Sequence, residues 1–308
     1  MTVLVTGAAG FVGRVVAIEA KRCGLDVHGC GRSAMAPEDF EGSWHQVNWT
    51  LGAEPLTALL NEVRPDIIVH GAGSASVADS LKAPLADFQA SLGSWSLLLE
   101  AVRVSEQKPV IVFPSSAAVY GSPDRLPIAE DSPCHPVSPY GWHKLLCEGL
   151  AHAHASAFGA RIIVARLFSV FGSHQRRLLL WELFDRLRRE PGPLSLMGTG
   201  EETRDFLGEE EMAATLLNLA LLKNTSLTEE GKPLIVNVAS GVERTTLQMA
   251  HLITDLCAPG RDILCLGHPR PGDPPRWCAD ISRLRTLLPE DAKPVAVALY
   301  EAVTGWSE

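Results

Sequence analysis

The chain has 308 residues, enough to bury one large core or two modest ones. Hydrophobic residues make up 46% and charged residues 20%, the balance of an ordinary globular protein rather than a disordered or fibrous one. With 27 Lys and Arg against 36 Asp and Glu, the formal charge is −9, which argues against nonspecific nucleic-acid binding and leaves any polyanionic ligand dependent on local arginines.

Short apolar runs alternate with helical patterns through the first half. Val3–Val5 reads as a buried strand, Val12–Arg22 as a helix, and Asp26–His28 as the next strand. Leu56–Val63 is expected to be helical, Ile67–His70 a strand, Leu85–Val102 a helix and Val110–Phe113 a strand. Tyr140–Ala157 then reads as a helix and Ile162–Ala165 as a strand. Near-continuous apolar strands joined by helices specify an α/β fold with a Rossmann-type, doubly wound parallel sheet. The texture changes after residue 168. Arg176–Arg189 is an amphipathic helix, Met212–Leu222 a further helix, Leu234–Val238 a strand and Pro269–Pro275 an ordered proline-rich loop. The expected organisation is a dinucleotide-binding domain over 1–168, with returning segments from about 205–240, and a smaller, mainly substrate-binding part over 169–308.

Seven cysteines are scattered, odd in number and without a CxxC, so they read as reduced thiols of a cytoplasmic protein. The N-terminus runs directly into the first strand with no export signal. No apolar run approaches the roughly 18–20 residues of a membrane span. No metal site is expected, because His152 and His154 are two residues apart on a helix and do not converge.

Gly7, Gly10 and Gly13 form GxxGxxG directly after the first strand and at the start of a helix. Glycines there allow a tight turn and close approach to a pyrophosphate, and the helix N-terminus offers free N–H groups. Phe11 and Val12, inside this loop, are counted with the cofactor-binding residues. An NAD site usually carries an acidic residue at the end of the second strand for the ribose 2′-hydroxyl. That place falls on Gly31, followed by Arg32 and Ser33, which favours a 2′-phosphate and hence NADP over NAD. Asn48, with Trp49 beside it, is assigned to the adenine, and Gly71, Ala72 and Gly73 leave room for the cofactor backbone.

Tyr140 and Lys144 are four residues apart and share a helix face. A free tyrosine is a poor base near neutral pH, and a neighbouring ammonium favours its phenolate. Tyr140 is then fit to exchange a proton with a carbonyl or hydroxyl oxygen, Lys144 to hold the nicotinamide ribose, and Ser116 to hydrogen-bond the same reacting oxygen. These three are the expected catalytic residues.

The segments TGAAGFVG (Thr6–Gly13), SSAAVYG (Ser115–Gly121), SPYGWHK (Ser138–Lys144) and ETRDFLGEEEMA (Glu202–Ala213) resemble the extended short-chain dehydrogenase/reductases acting on nucleotide sugars. The resemblance implies catalytic roles for Ser116, Tyr140 and Lys144. It also implies that Arg204 grips the sugar-nucleotide pyrophosphate and that Arg270 is a second phosphate-binding arginine. Three positions depart from the pattern. Ala117-Ala118 replaces the Asp-Glu pair of the 4,6-dehydratases, Ser169 replaces the asparagine of RxxN on the substrate side, and Ala90-Ser91-Leu92-Gly93-Ser94 lacks the helix asparagine.

The leading expectation is an NADPH-dependent reductase of a nucleotide-linked 4-keto-sugar. The alternative is a nucleotide-sugar 4-epimerase with retained NAD. A third, of another class, is a non-catalytic protein that binds the dinucleotide or the sugar nucleotide. The expected partner is the nucleotide-sugar substrate, without nucleic acid or membrane. A homodimer through the Leu85–Val102 and Tyr140–Ala157 helices is implied by the resemblance.

Overall fold

The computed structural model describes residues 1–49, 52–222, 231–268, 274–289 and 292–307. The chain forms two compact units. The first comprises Met1–Gly121, Cys134–Leu167 and Ala213–Val236, and the second Ser122–Pro133, Phe168–Met212 and Asn237–Glu308. Ser122–Pro133, read from sequence as part of the first half, clusters with the second unit.

In the first unit, strand β1 (Thr2–Thr6) leads into helix α1 (Phe11–Arg22), then β2 (Asp26–Gly31) and β3 (Ser43–Gln46). Helix α2 (Glu54–Val63) precedes β4 (Ile67–His70), α3 (Val77–Lys82), α4 (Pro84–Phe88) and α5 (Ser94–Val104). Strand β5 (Val110–Ser116), helix α6 (Pro139–Phe158) and β6 (Arg161–Leu167) follow. The second unit carries β7 (Ser169–Phe171), α7 (Leu178–Arg189), β8 (Leu194–Leu196) and β9 (Thr203–Gly208). Helix α8 (Glu209–Leu221) and β10 (Leu234–Val238) come next, then β11 (Glu243–Thr245), α9 (Thr246–Cys257), β12 (Ile263–Cys265), α10 (Ser282–Leu287) and α11 (Val295–Ser307).

The main sheet has seven strands in the order β10-β6-β5-β4-β1-β2-β3. Neighbours from β3 to β6 pair in parallel. The order reverses between β1 and β4, which makes their carboxyl ends the topological switch point where such sheets take ligands. Leu4, Ile68, Ile111, Phe113 and Val164 meet Trp95, Leu98, Leu99 and Cys147 in the core beneath this sheet. In the second unit a three-stranded sheet, β11-β9-β7, and a two-stranded one, β12-β8, share a core of Phe171, Phe184, Phe206, Leu299 and Trp306.

Several elements differ from the sequence reading. The helix expected over Leu85–Val102 is broken: Gln89–Gly93 forms a π-helical turn between α4 and α5. Ser94 Oγ donates to Ala90 O at 2.6 Å there, and Ser91 Oγ accepts from Ser74 N at 3.3 Å. These serines offer the backbone other partners, the usual cause of a local helix defect. Strand β3, with sequence SWHQ, has no apolar run; it is an edge strand paired on one side only. The second half also holds α9, whose capping box of Thr245 and Gln248 was unread in the sequence.

The turn after β1 is tightly packed. Gly7 has φ of 63°, and a Cβ there would lie 2.5 Å from Ala72 N. A Cβ on Gly13 would lie 2.4 Å from Gly7 O. Gly13→Ala is therefore expected to cost about 1–3 kcal/mol of stability through overpacking against rigid backbone, measured as a lower midpoint in urea denaturation.

Candidate active site

The glycine loop fits a dinucleotide. Gly7 turns beside Gly71 and Ala72 at the end of β4, and a Cβ on Gly71 would come 2.8 Å from Thr6 O and 3.1 Å from Gly13 Cα. Gly10 ends the loop in an extended conformation as the N-cap of α1, with no side chain over the first-turn N–H groups. A cradle of bare backbone at a helix N-terminus is what a pyrophosphate needs. Phe11 and Val12 are half-buried in the first turn, and Gly73 is exposed with φ of 137°.

His70 braces this cradle. It is fully buried at the end of β4, with Nδ1 2.9 Å from Thr6 Oγ1 and Nε2 3.3 Å from Ser94 Oγ. Ser94 spends its proton on Ala90 O, so it accepts from His70 Nε2; Thr6 Oγ1 accepts from Ala72 N at 3.3 Å and donates to His70 Nδ1. This arrangement suits a neutral imidazole protonated on Nε2. Burial, and then the Lys144 ammonium, push this histidine down to about 3.

β2 ends at Gly31, and a Cβ there would meet the Trp44 ring at 3.1 Å. Arg32 and Ser33 are exposed, their carbonyls accepting from Gln46 Nε2 and Trp44 Nε1. Asn48 is exposed, whereas Trp49 is half-buried against the core, edge-on to His70 at 6.1 Å between ring centroids.

The structure brings the residues expected to be catalytic to the end of β5. Ser138 caps α6, accepting from Gly141 N at 3.2 Å, and Pro139 occupies the first turn. Tyr140 and Lys144 therefore both lie on the buried face of α6. Lys144 Nζ donates to Pro114 O at 2.9 Å and stands 5.0 Å from the Phe113 ring centroid and 5.8 Å from that of Tyr140. Ser116, the last residue of β5, caps the 3-10 turn Ala117–Val119 by accepting from Ala118 N at 3.2 Å. A Cβ on Gly141 would sit 2.6 Å from Ala118 O, so the first turn of α6 lies directly on the turn that Ser116 caps.

Beneath them runs a buried polar group that sequence reasoning missed. Ser115 Oγ donates to Glu148 Oε1 at 2.6 Å. Arg166 forks onto the same carboxylate, Nε to Oε1 at 3.1 Å and Nη2 to Oε2 at 2.7 Å, while its Nη1 donates to the Tyr120 hydroxyl at 2.9 Å. Burial alone would lower the Arg166 guanidinium, but Glu148 and Tyr120 more than offset it and hold it above the ordinary arginine value. The signal was in the sequence: Glu148 continues the Tyr140, Lys144 spacing along one helix face.

Ser169 and Arg204 belong to the small sheet of the second unit. Ser169 opens β7 opposite Phe206, and Arg204 lies in β9 opposite Arg244. Arg204 Nη1 donates to Thr203 O at 2.6 Å, and its guanidinium stands 5.4 Å from the Trp277 ring centroid. Asp205 beside it accepts from Ser240, Gly241 and Ala279; burial raises its carboxyl despite those bonds. Arg270 and most of the proline-rich stretch lie outside the described residues. Burial pushes the Cys30 and Cys147 thiols up to about 12, so neither is a nucleophile. Among the described residues, no cluster of three metal-ligating side chains occurs and no helix is long and apolar enough to cross a membrane.

Residues 3–239, spanning the glycine loop, Ser116, Tyr140 and Lys144, match the NAD dependent epimerase/dehydratase family. The chain belongs to this family. It is 31% identical to a UDP-glucose 4-epimerase of Azospirillum brasilense, over 93% of this chain and 86% of that one. It superposes on the UDP-N-acetylglucosamine 4-epimerase of Methanobrevibacter ruminantium, solved with UDP-N-acetylmuramic acid, with a TM-score of 0.87. That pair is 25% identical, over 99% of this chain and 97% of the other. An NAD-dependent NDP-hexosamine 5,6-dehydratase of tunicamycin biosynthesis superposes with a TM-score of 0.86 at 25% identity, over 100% and 98% of the two chains. Membership of this epimerase/dehydratase family agrees with the resemblance read from the motifs and with the doubly wound parallel sheet. The relatives include UDP-sugar 4-epimerases and an NAD-dependent dehydratase, which supports the epimerase alternative better than the 4-ketoreductase and lends the NADP expectation no support.

The neutral state of His70 carries a pH signature. The unfolded chain binds its proton below about 6.5, whereas the folded form refuses it down to about 3. Stability is thus full above the unfolded value and falls as pH drops through that window. His70→Asn is expected to flatten the decline of Tm between pH 7 and pH 5, measured by calorimetry.

Proposed function

We propose that this protein is a nucleotide-sugar 4-epimerase that retains NAD through each turnover and acts on a UDP-linked hexose. The observation that carries the reading is the convergence of Tyr140, Lys144 and Ser116 on the end of β5, beside the backbone cradle formed by Gly7, Gly13 and Gly71. Kinship with a UDP-glucose 4-epimerase along most of both chains supports it.

Gly7, Gly10, Gly13 and Gly71 would hold the dinucleotide, which would supply a hydride acceptor and donor for C4 of a sugar that turns over between the two transfers. Tyr140 removes the proton from the C4 hydroxyl during oxidation and gives it back during reduction. Ser116 hydrogen-bonds the same oxygen. Lys144 keeps N–H groups beyond the one given to Pro114 O, and these suit the ribose hydroxyls near Tyr140. Arg204 is assigned to the pyrophosphate of the sugar nucleotide, with Ser169 on the same small sheet as a substrate contact. Ala117 and Ala118 supply no acid or base, so elimination of the 4,6-dehydratase kind is not assigned.

One observation favours a second reading. β2 ends at Gly31 without a carboxylate and is followed by exposed Arg32, a pairing suited to a 2′-phosphate and to a dissociable NADPH. The experiment supplies the protein with UDP-glucose, UDP-galactose and their N-acetyl counterparts, and follows the sugars by NMR and the nicotinamide by absorbance. Interconversion of C4 epimers without net cofactor change is expected, and Tyr140→Phe is expected to lower kcat by about 10²–10⁴-fold. Stoichiometric loss of NADPH with a nucleotide 4-keto-sugar would establish the reductase instead. Ligand binding without turnover, unchanged by Tyr140→Phe, would establish a non-catalytic binding protein.

We also propose a homodimer. Leu81 on α3, Leu85 and Phe88 on α4, and Trp142 and Leu146 on α6 are all exposed, and such apolar patches mark association surfaces. Trp142→Lys is expected to shift the protein from dimer to monomer in size-exclusion chromatography with light scattering.

A further inference from the structure

We infer that Glu148 and Arg166 act as a positioning ion pair for the reaction, setting where Tyr140 and Lys144 stand relative to Ser116. This rests on the assignment of those three residues as the reacting group. Each member of the buried network belongs to a segment that carries one of them. Ser115 precedes Ser116 on β5, and Tyr120 closes the 3-10 turn that Ser116 caps. Glu148 lies one turn beyond Lys144 on the buried face of α6. Arg166 stands directly opposite Ser115 in the β5–β6 register. The carboxylate of Glu148 thus ties α6 to β5 and β6 at a single point.

This tie adds to the bond from Lys144 Nζ to Pro114 O, and the rest of the buried α6 face contributes little bulk. Its other buried residues beyond Tyr140 and Lys144 are Gly141, Cys147, Ala151 and Ala155, all small. Small side chains interdigitate little and leave a helix free to slide or rotate on a sheet. A guanidinium–carboxylate fork fixes both distance and angle. The fork sits about one helical turn, roughly 5–6 Å along the axis, from Lys144, so an error in its placement passes directly to the reacting groups. Glu148 and Arg166 are both buried and act through the backbone elements they join.

The test separates positioning from stability. Replacing both charges by apolar groups of similar volume commonly preserves folding, whereas removing one alone strands the other. Glu148→Leu/Arg166→Met is expected to keep a Tm near that of the wild type and unchanged dinucleotide binding, yet to lose about 100-fold in kcat with little change in KM. A double variant with kcat within about twofold of wild type, well short of that loss, overturns the proposal. If the double variant does not fold, Arg166→Lys, which keeps the charge and loses the fork, takes its place under the same criteria. Wild type and Tyr140→Phe run in parallel. A wild type that turns over no nucleotide sugar overturns the functional reading and leaves the geometric arm standing. That arm compares crystal structures of wild type and variant at the Tyr140 hydroxyl and Ser116 Oγ. A change in their separation of about 0.5 Å or more supports positioning, and a smaller one overturns it.

Discussion

Where β1 and β4 end, three stretches of backbone pass so close that no β-carbon fits at Gly7, Gly13 or Gly71 without something giving way. This crowding is a consequence of the sheet order. The strand that follows β1 in space is β4, so α1 and the turn after β4 must share one narrow opening at the switch point. The crowding forces the loop to present N–H groups rather than side chains, and that bare surface is what makes an anion welcome in an acidic protein.

Polar groups buried next to this opening are arranged in two different ways. His70 is kept neutral, each ring nitrogen spent on a hydroxyl partner, so it stiffens the opening without adding a charge beside Lys144. Glu148 and Arg166 instead form an ion pair in which each satisfies the other. The first solution suits a place where a ligand's own charges arrive. The second suits a place where orientation matters and solvent is absent. Lys144 lies between the two regimes, held by Pro114 O on one side and facing the rings of Phe113 and Tyr140.

Much of the first unit was legible in the sequence because its signals are local. Apolar runs gave β1, β4, β5 and β6, and the helical pattern from Tyr140 gave α6. The glycine spacing and the Tyr140–Lys144 pair needed only the knowledge that they follow strands. What stayed hidden depends on distant partners. Nothing in Gln89–Gly93 announces a π-turn until Ser91 is seen to bond Ser74 N. β3 is half polar because only one of its sides is paired. The role of Ser115 rests on a glutamate 33 residues away. The NADP expectation rested on Gly31 and Arg32 alone, whereas the family match and the relatives weigh the whole chain.

The two serines that end β5 obey a parity rule. Neighbouring residues of a strand face opposite ways, so Ser115 reaches back to the buried fork while Ser116 is left to cap the turn ahead. Insertion or deletion of one residue within β5 would exchange their duties together, taking the serine donor from Glu148 and the hydroxyl from the reacting end in a single step. The strand therefore tolerates changes of side chain far better than changes of length. Its seven residues act as a ruler, and a change of length there disturbs more than a change of length in a connecting loop.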